Sequence, residues 1–168
     1  MLELLEDLLV LARAGQLERP DEPVDCCQVV EEVVTGLASK IIAAGVVVQK
    51  KSFPSLRVPK TLLAQLFDNL IGNAVRYAGK QGGLVEVGGE RSGKQVKLYV
   101  RDHGTGIPVE ERDRIFDLFY RGSTGKEVEG TGVGLASVQK IAHLYGGRAW
   151  VEETPGGGCT FCVEMADE

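Results

Sequence analysis

The chain has 168 residues, 43% hydrophobic and 26% charged, a composition that suits one globular domain at ~150 residues per domain and excludes disorder and fibrous coiled coil. Its 19 basic and 24 acidic residues leave a net charge of −5, all of it within residues 1–25, where Arg13 and Arg19 stand against seven acidic side chains. The neutral remainder has no basic stripe for nucleic acid, and the longest apolar run, Ile41 to Val48, is far below the ~20 residues of a membrane span.

Residues 2–14 are rich in helix formers. Leu4, Leu8 and Leu11 make one stripe, and Leu2, Leu5, Leu9 and Ala12 a second beside it, a face wide enough to require a bundle partner. Gly15 to Pro23 reads as a linker. A second amphipathic helix is predicted from Cys26 to Ala44, then strands at Val46–Lys50 and Leu56–Val58. Pro59 opens a long helix that runs through Tyr77 and is stopped by Gly79. Strands follow at Leu84–Val87 and Val96–Asp102, then a glycine-studded stretch over 103–134 with a short helix near Glu110–Phe119. A helix from Val133 to Tyr145 ends at Gly146-Gly147, and strands at Arg148–Glu152 and Cys159–Met165 flank a Pro-Gly-Gly-Gly turn. The order predicts an α+β class, a two-layer α/β sandwich with a mixed sheet covered by helices on one face.

Met1 precedes acidic residues, so no secretory leader is expected. Four cysteines without framework spacing suit a reducing cytoplasm. Cys159 and Cys162, three apart on a strand, are expected to point to opposite faces, which defeats a shared metal.

Three segments carry chemistry. On the long helix Leu62, Leu63, Leu66, Phe67, Leu70, Ile71 and Ala74 share a face, and Asn69, Asn73 and Arg76 fall on a narrow arc at its edge. Two carboxamides one turn apart, with a guanidinium beyond them, suit Mg²⁺ and the phosphates it bridges, because Mg²⁺ keeps water and phosphate among its ligands. Solvated asparagines on a helix flank would read the same way in isolation. Alternation over Val96, Leu98 and Val100 puts Asp102 on the buried side, where a carboxylate needs a donor. The following Gly104-Thr105-Gly106-Ile107 lets a ligand approach the backbone, unless the aspartate merely ends the strand in a glycine turn. Gly130-Thr131-Gly132-Val133-Gly134-Leu135 runs into a helix and exposes amides suited to phosphate; a flexible loop at a helix start is the plain alternative. It is neither a P-loop nor a dinucleotide fingerprint. Between the last two segments lie Phe116, Phe119 and Arg121, the makings of a mobile lid with a cation for phosphate.

In this order and spacing the segments resemble the catalytic, ATP-binding domain of sensor histidine kinases in the GHKL superfamily. Asn69 to Tyr77 is similar to the N box, Asp102 to Gly106 to the first glycine box, Phe116 to Arg121 to the F box, and Gly130 to Leu135 to the second glycine box. The resemblance covers residues 25–165 and implies a Bergerat fold over 20–168. Residues 1–19 would then be the end of a second dimerisation helix plus linker. It further implies that Asn73 with Asn69 holds Mg²⁺ and that Arg76 and Arg121 face the phosphates of ATP. Tyr77 and Ile107 would line the adenine pocket, Asp102 would receive its amino group, and Gly104 and Gly106 would give it room. Gly130, Thr131, Gly132, Val133, Gly134 and Leu135 would wrap the phosphate tail, with Cys159 and Thr160 at the adenine corner. Two departures stand out: His103 where the family often has asparagine, and Cys159 where relatives often place Ser or Thr.

Gyrase-type relatives carry a glutamate base one turn before the metal-binding asparagine. Here that position is Asn69, which cannot act as a base, whereas a neutral imidazole acceptor needs little activation. Neither His103 nor His143 has the setting of the family's acceptor histidine. The chain is thus expected to bind ATP without phosphorylating itself. Expected partners are a histidine-bearing dimerisation domain of the same full-length protein, a homodimer there, and a response regulator receiver domain. Nucleic acid and membrane contact are not expected. The competing readings are a noncatalytic nucleotide-sensing module and a freestanding GHKL ATPase.

Overall fold

The computed structural model describes residues 9, 12–13, 16–78, 83–104, 110, 112, 115–116 and 134–167. The predicted N-terminal helix, the Gly79 stop and the short helix near Glu110–Phe119 lie largely or wholly outside them. A two-residue strand, β1 (Val24–Asp25), leads into α1 (Cys26–Gly36), whose N-cap Asp25 accepts from the Cys27 amide. The single helix expected over Cys26–Ala44 is broken at Leu37, where φ is −98° and ψ 7°, and resumes as α2 (Ala38–Ala44). The break follows Thr35, whose hydroxyl donates back to the Glu31 carbonyl, and Gly36, a weak helix former. Leu37 and Ile41 nonetheless stay buried, so the two pieces share one apolar face.

Edge strand β2 (Val47–Lys50) and the short β3 (Ser55–Leu56) precede α3 (Lys60–Ala78). Pro59, with φ preset and no N–H to lose, starts α3, and its carbonyl accepts from Leu62 and Leu63. The face predicted from Leu62 to Ala74 is the buried one, every member between 0% and 1% exposed. Burying a Leu or Phe fully is worth ~1.5–3 kcal/mol, so this face alone binds α3 firmly to the sheet.

Next come β4 (Leu84–Ser92), β5 (Gln95–Asp102), α4 (Gly134–Leu144), β6 (Arg148–Glu153) and β7 (Cys159–Ala166). β4 runs five residues past its predicted end because Gly88 and Gly89 belong to the strand. A Cβ on Gly88 would lie 2.7 Å from the Tyr99 hydroxyl, and one on Gly89 2.7 Å from Leu98 Cδ2. The sheet order is β2-β4-β5-β7-β6, with β2 parallel to β4 and the other pairs antiparallel; β1 and β3 form a separate ribbon. Helices α3 and α4 pack on the face formed by Val85, Val87, Val96, Leu98, Val100, Phe161, Val163 and Met165. This is the predicted α+β sandwich. On β7, Cys159 joins that core while Cys162 stands on the other face between Tyr99 and Trp150. Among the described residues no helix is long and apolar enough to cross a membrane.

The stretch read as a linker is tied down. Arg19 donates to the carbonyls of Arg57 (3.1 Å) and Ala166 (2.9 Å) and lies over the Tyr145 ring at 4.7 Å.

Candidate functional site

Asp102 closes β5 on the same face as Val96, Leu98 and Val100, and is 1% exposed. Its Oδ1 accepts two main-chain amides, Gly104 and Cys159, each at 3.0 Å. Its Oδ2 is buried and accepts from nothing. Burial raises the carboxyl's pKa above the ordinary 3.8, and the two amides offset that only in part. The closing turn presses on this corner. Gly156, Gly157 and Gly158 have φ of 89°, 115° and 105°, and a Cβ on Gly158 would lie 2.3 Å from the Asp102 carbonyl oxygen. Only glycine fits there.

On α3, Asn69 and Asn73 are both half-buried, each with its amide nitrogen enclosed and unpartnered. Gly134, the first residue of α4, sits against Asn69: a Cβ there would be 3.0 Å from Asn69 Oδ1. The predicted N-box helix and the predicted glycine-box helix therefore meet at Asn69. One turn into α4, the wholly buried Ser137 hydroxyl is also without a partner. Among the described residues these four side chains are the complete set of buried polar groups left unsatisfied, and three of them are predicted site residues. Each unmade bond costs ~1–3 kcal/mol. Such groups call for a partner, which a water, an ion or a ligand can supply.

The other predicted residues divide. Arg76 is exposed on α3, beside the asparagines in sequence. Gly104 is at the Asp102 corner, and Leu135 follows Gly134 in α4. Cys159 is buried, but it reaches Asp102 through its main-chain amide. Thr160 stands apart from the Asp102 pocket, since strand alternation turns it to the opposite face. There its hydroxyl meets Thr154 at 3.0 Å and Arg101 at 3.2 Å. The Tyr77 side chain, Gly106, Ile107, Arg121, Gly130, Thr131, Gly132 and Val133 lie outside the described residues.

Sequence reasoning missed the Cys159 amide and Ser137. A main-chain donor leaves no residue-type signature, and a lone serine in an apolar helix is unremarkable by composition. His103 was noted only as a departure, yet its Nε2 lies 3.0 Å from Glu86 Oε1.

Residues 59–168 match the model of the family described as histidine kinase-, DNA gyrase B- and HSP90-like ATPase. The chain is 32% identical over 157 residues to the methanogenesis regulatory histidine kinase FilI of Methanothrix harundinacea, covering 92% of this chain and 18% of that protein. It is 32% identical over 161 residues to the phytochrome-like protein Cph1 of Synechocystis, covering 96% of this chain and 22% of that one. Among solved structures, full-length ShkA in complex with AMPPNP superimposes with a TM-score of 0.81 at 27% identity, over 99% of this chain and 36% of that chain.

Proposed function

The chain belongs to the histidine kinase-, DNA gyrase B- and HSP90-like ATPase family, and on that premise we propose that it is the catalytic domain of a sensor histidine kinase. In this reading it binds Mg²⁺–ATP between α3 and the sheet and delivers the γ-phosphoryl group to a histidine on a dimerisation domain of the same protein. A response regulator receiver domain takes the phosphoryl group onward, and the domain works in the cytoplasm. The chain spans 18% and 22% of FilI and Cph1, so those whole proteins' other parts have no counterpart in it.

The observation that supports the reading is that three residues of the family's nucleotide motifs, Asn69, Asn73 and Asp102, each keep a buried polar atom without a partner. Asp102 Oδ2 is an acceptor without a donor, as an exocyclic amino group requires. A carboxamide turned by half a revolution exchanges oxygen for NH₂. Asn69 and Asn73 therefore present oxygens to a hydrated cation or donors to phosphate, and Mg²⁺ needs few protein ligands. Bound there, Mg²⁺ would neutralise charge on the phosphates it bridges. By the family resemblance Arg76, Arg121 and the amides from Gly130 to Leu135 would meet the phosphates, and Tyr77 and Ile107 would line the base. A side chain at Gly134 would crowd Asn69.

Asn69 also argues for the reaction type. An amide abstracts no proton, so water is not activated from this position, whereas an imidazole attacks with a lone pair it already has.

Calorimetry with a nonhydrolysable ATP analogue, with and without Mg²⁺, tests the site, and addition of a histidine-bearing hairpin in trans tests the reaction. Metal-dependent binding followed by transfer to the hairpin is expected. Binding without transfer would leave a nucleotide-sensing module, and steady phosphate release without a hairpin would make the chain an ATPase.

A further inference from the structure

We propose that His103 is a positioning residue that makes nucleotide binding depend on pH. As an imidazolium it pins the Asp102–Gly104 corner to β4 through Glu86, and the pinned corner binds nucleotide more tightly. The inference rests on Asp102 being the acceptor for the base.

The corner is held from two sides. On one, the Gly156–Gly158 turn lies so close that a Cβ on Gly158 would stand 2.7 Å from His103 Cα. On the other, the His103 ring reaches Glu86 at 3.0 Å, and the second oxygen of Glu86 lies 3.4 Å from Lys51 Nζ. The β4–β5 ladder pairs Asp102 with Val85, and the His103–Glu86 contact extends the attachment to β4 one residue beyond the end of β5. The charged groups around the pair are Glu86 from β4, Lys51 from the segment after β2, and Arg101 and Asp102 from β5.

Two effects run the same way. A charged imidazole turns a neutral hydrogen bond to Glu86 into a charge-assisted one. It also favours the ionised form of Asp102, against the burial that raises that group's pKa. The bond from His103 is also the chief cause that holds the Glu86 carboxyl below its ordinary range. Histidine is the side chain whose charge changes across the physiological range, so asparagine at this position would hold the corner without the pH response.

The chain has two histidines, His103 and His143, so comparison with His103→Asn assigns both imidazole resonances. Titrated by NMR, His103 is expected to protonate at a midpoint roughly half a unit higher when a nonhydrolysable ATP analogue is saturating, a threefold linkage of the size of a half-exposed ion pair. Between pH 5.5 and 8 the affinity of the natural chain relative to His103→Asn should fall by the same factor. Phosphate ionisation of the nucleotide affects both chains equally and cancels. Glu86→Gln should abolish most of the response. A midpoint that nucleotide leaves unmoved, with a flat affinity ratio, would overturn the inference and leave the nucleotide site standing. Absence of binding at every pH would overturn both.

Discussion

The main-chain amide of Cys159 donates to Asp102 Oδ1 at 3.0 Å, and the partner oxygen of that carboxylate stays buried with nothing to accept from. One oxygen holds the side chain, and on the proposed reading the other receives the amino group of the base. The arrangement costs stability, because a buried carboxylate with a free oxygen is poorly solvated.

Asp102→Asn separates these two consequences. The amide oxygen can still accept from Gly104 and Cys159, but the free position becomes a donor that faces the donor of the base. Nucleotide affinity should fall by at least about thirtyfold, ~2 kcal/mol. The apo protein should become more stable at neutral pH. The folded-state pKa of Asp102 is raised, so its stabilising contribution is complete below 3.8 and is lost as pH rises through the folded value. Melting curves of the two chains should therefore coincide in acid and diverge as pH increases, the variant melting higher. A variant that melts lower at pH 7 would contradict this account of the carboxylate.

Gly134→Ala probes the meeting of α3 and α4. Alanine is the better helix former by up to ~1 kcal/mol, so the fold should be unharmed or slightly firmer. Its Cβ would crowd Asn69 Oδ1 at 3.0 Å and turn that amide aside. Metal-dependent nucleotide affinity should drop by roughly tenfold, the worth of about one hydrogen bond, with the melting temperature kept. Calorimetry and thermal melts on the same sample read both quantities.

How much of this was legible beforehand follows from what each feature writes into the sequence. A half-buried strand records its burial as alternation, so Val96, Leu98 and Val100 placed Asp102 on the core side without coordinates. A helix packed on a sheet records its face at 3.6-residue spacing, and Leu62 to Ala74 did so. Other features write nothing of the kind. Gly88 and Gly89 look like a turn but lie inside β4, where Tyr99 and Leu98 fill the space their missing side chains leave. The interruption at Leu37 keeps the apolar spacing intact, so periodicity passed over it. Thr160 shows the opposite failing. Its motif position suggested the adenine corner, while the alternation that had placed Asp102 turned Thr160 to Thr154 and Arg101.

Asp167 locks the end of the chain to its middle. Its carboxylate accepts from the Arg57 amide at 3.0 Å and from Arg91 at 2.7 Å, and its own amide donates to the Lys94 carbonyl. Burial pushes the pKa of Asp167 up, but the Arg57 amide and Arg91 together outweigh it and hold the group below 3.8. A depressed carboxylate contributes stability above 3.8 and loses it as pH falls through the folded value. Asp167→Asn should cost about 2 kcal/mol in urea unfolding at pH 7, the scale of hydrogen bonds to a charged group. The gap should close as the pH is taken below 3.8; a gap that persisted there would mean that charge is not what Asp167 contributes.

Arg19 makes the segment before β1 part of the folded body. Its guanidinium divides its donors between two carbonyls from distant parts of the chain, Arg57 beside β3 and Ala166 at the end of β7, and stacks on Tyr145 just past α4. Tyr145 is itself fixed, with its carbonyl accepting from the Ala166 amide at 2.7 Å. A planar fork with several donors can meet both carbonyls while lying flat on a ring, which an ammonium cannot. Arg19→Ala should therefore release the segment, with amide exchange over residues 16–23 accelerating by roughly tenfold for each 1.4 kcal/mol lost. Arg19→Lys should recover less than half of the protection, because charge alone does not fill the seat. Exchange in the core of β5 should be unchanged in both variants, which distinguishes an undocked segment from a loosened domain. If lysine restored full protection, the two carbonyl bonds would carry none of the attachment.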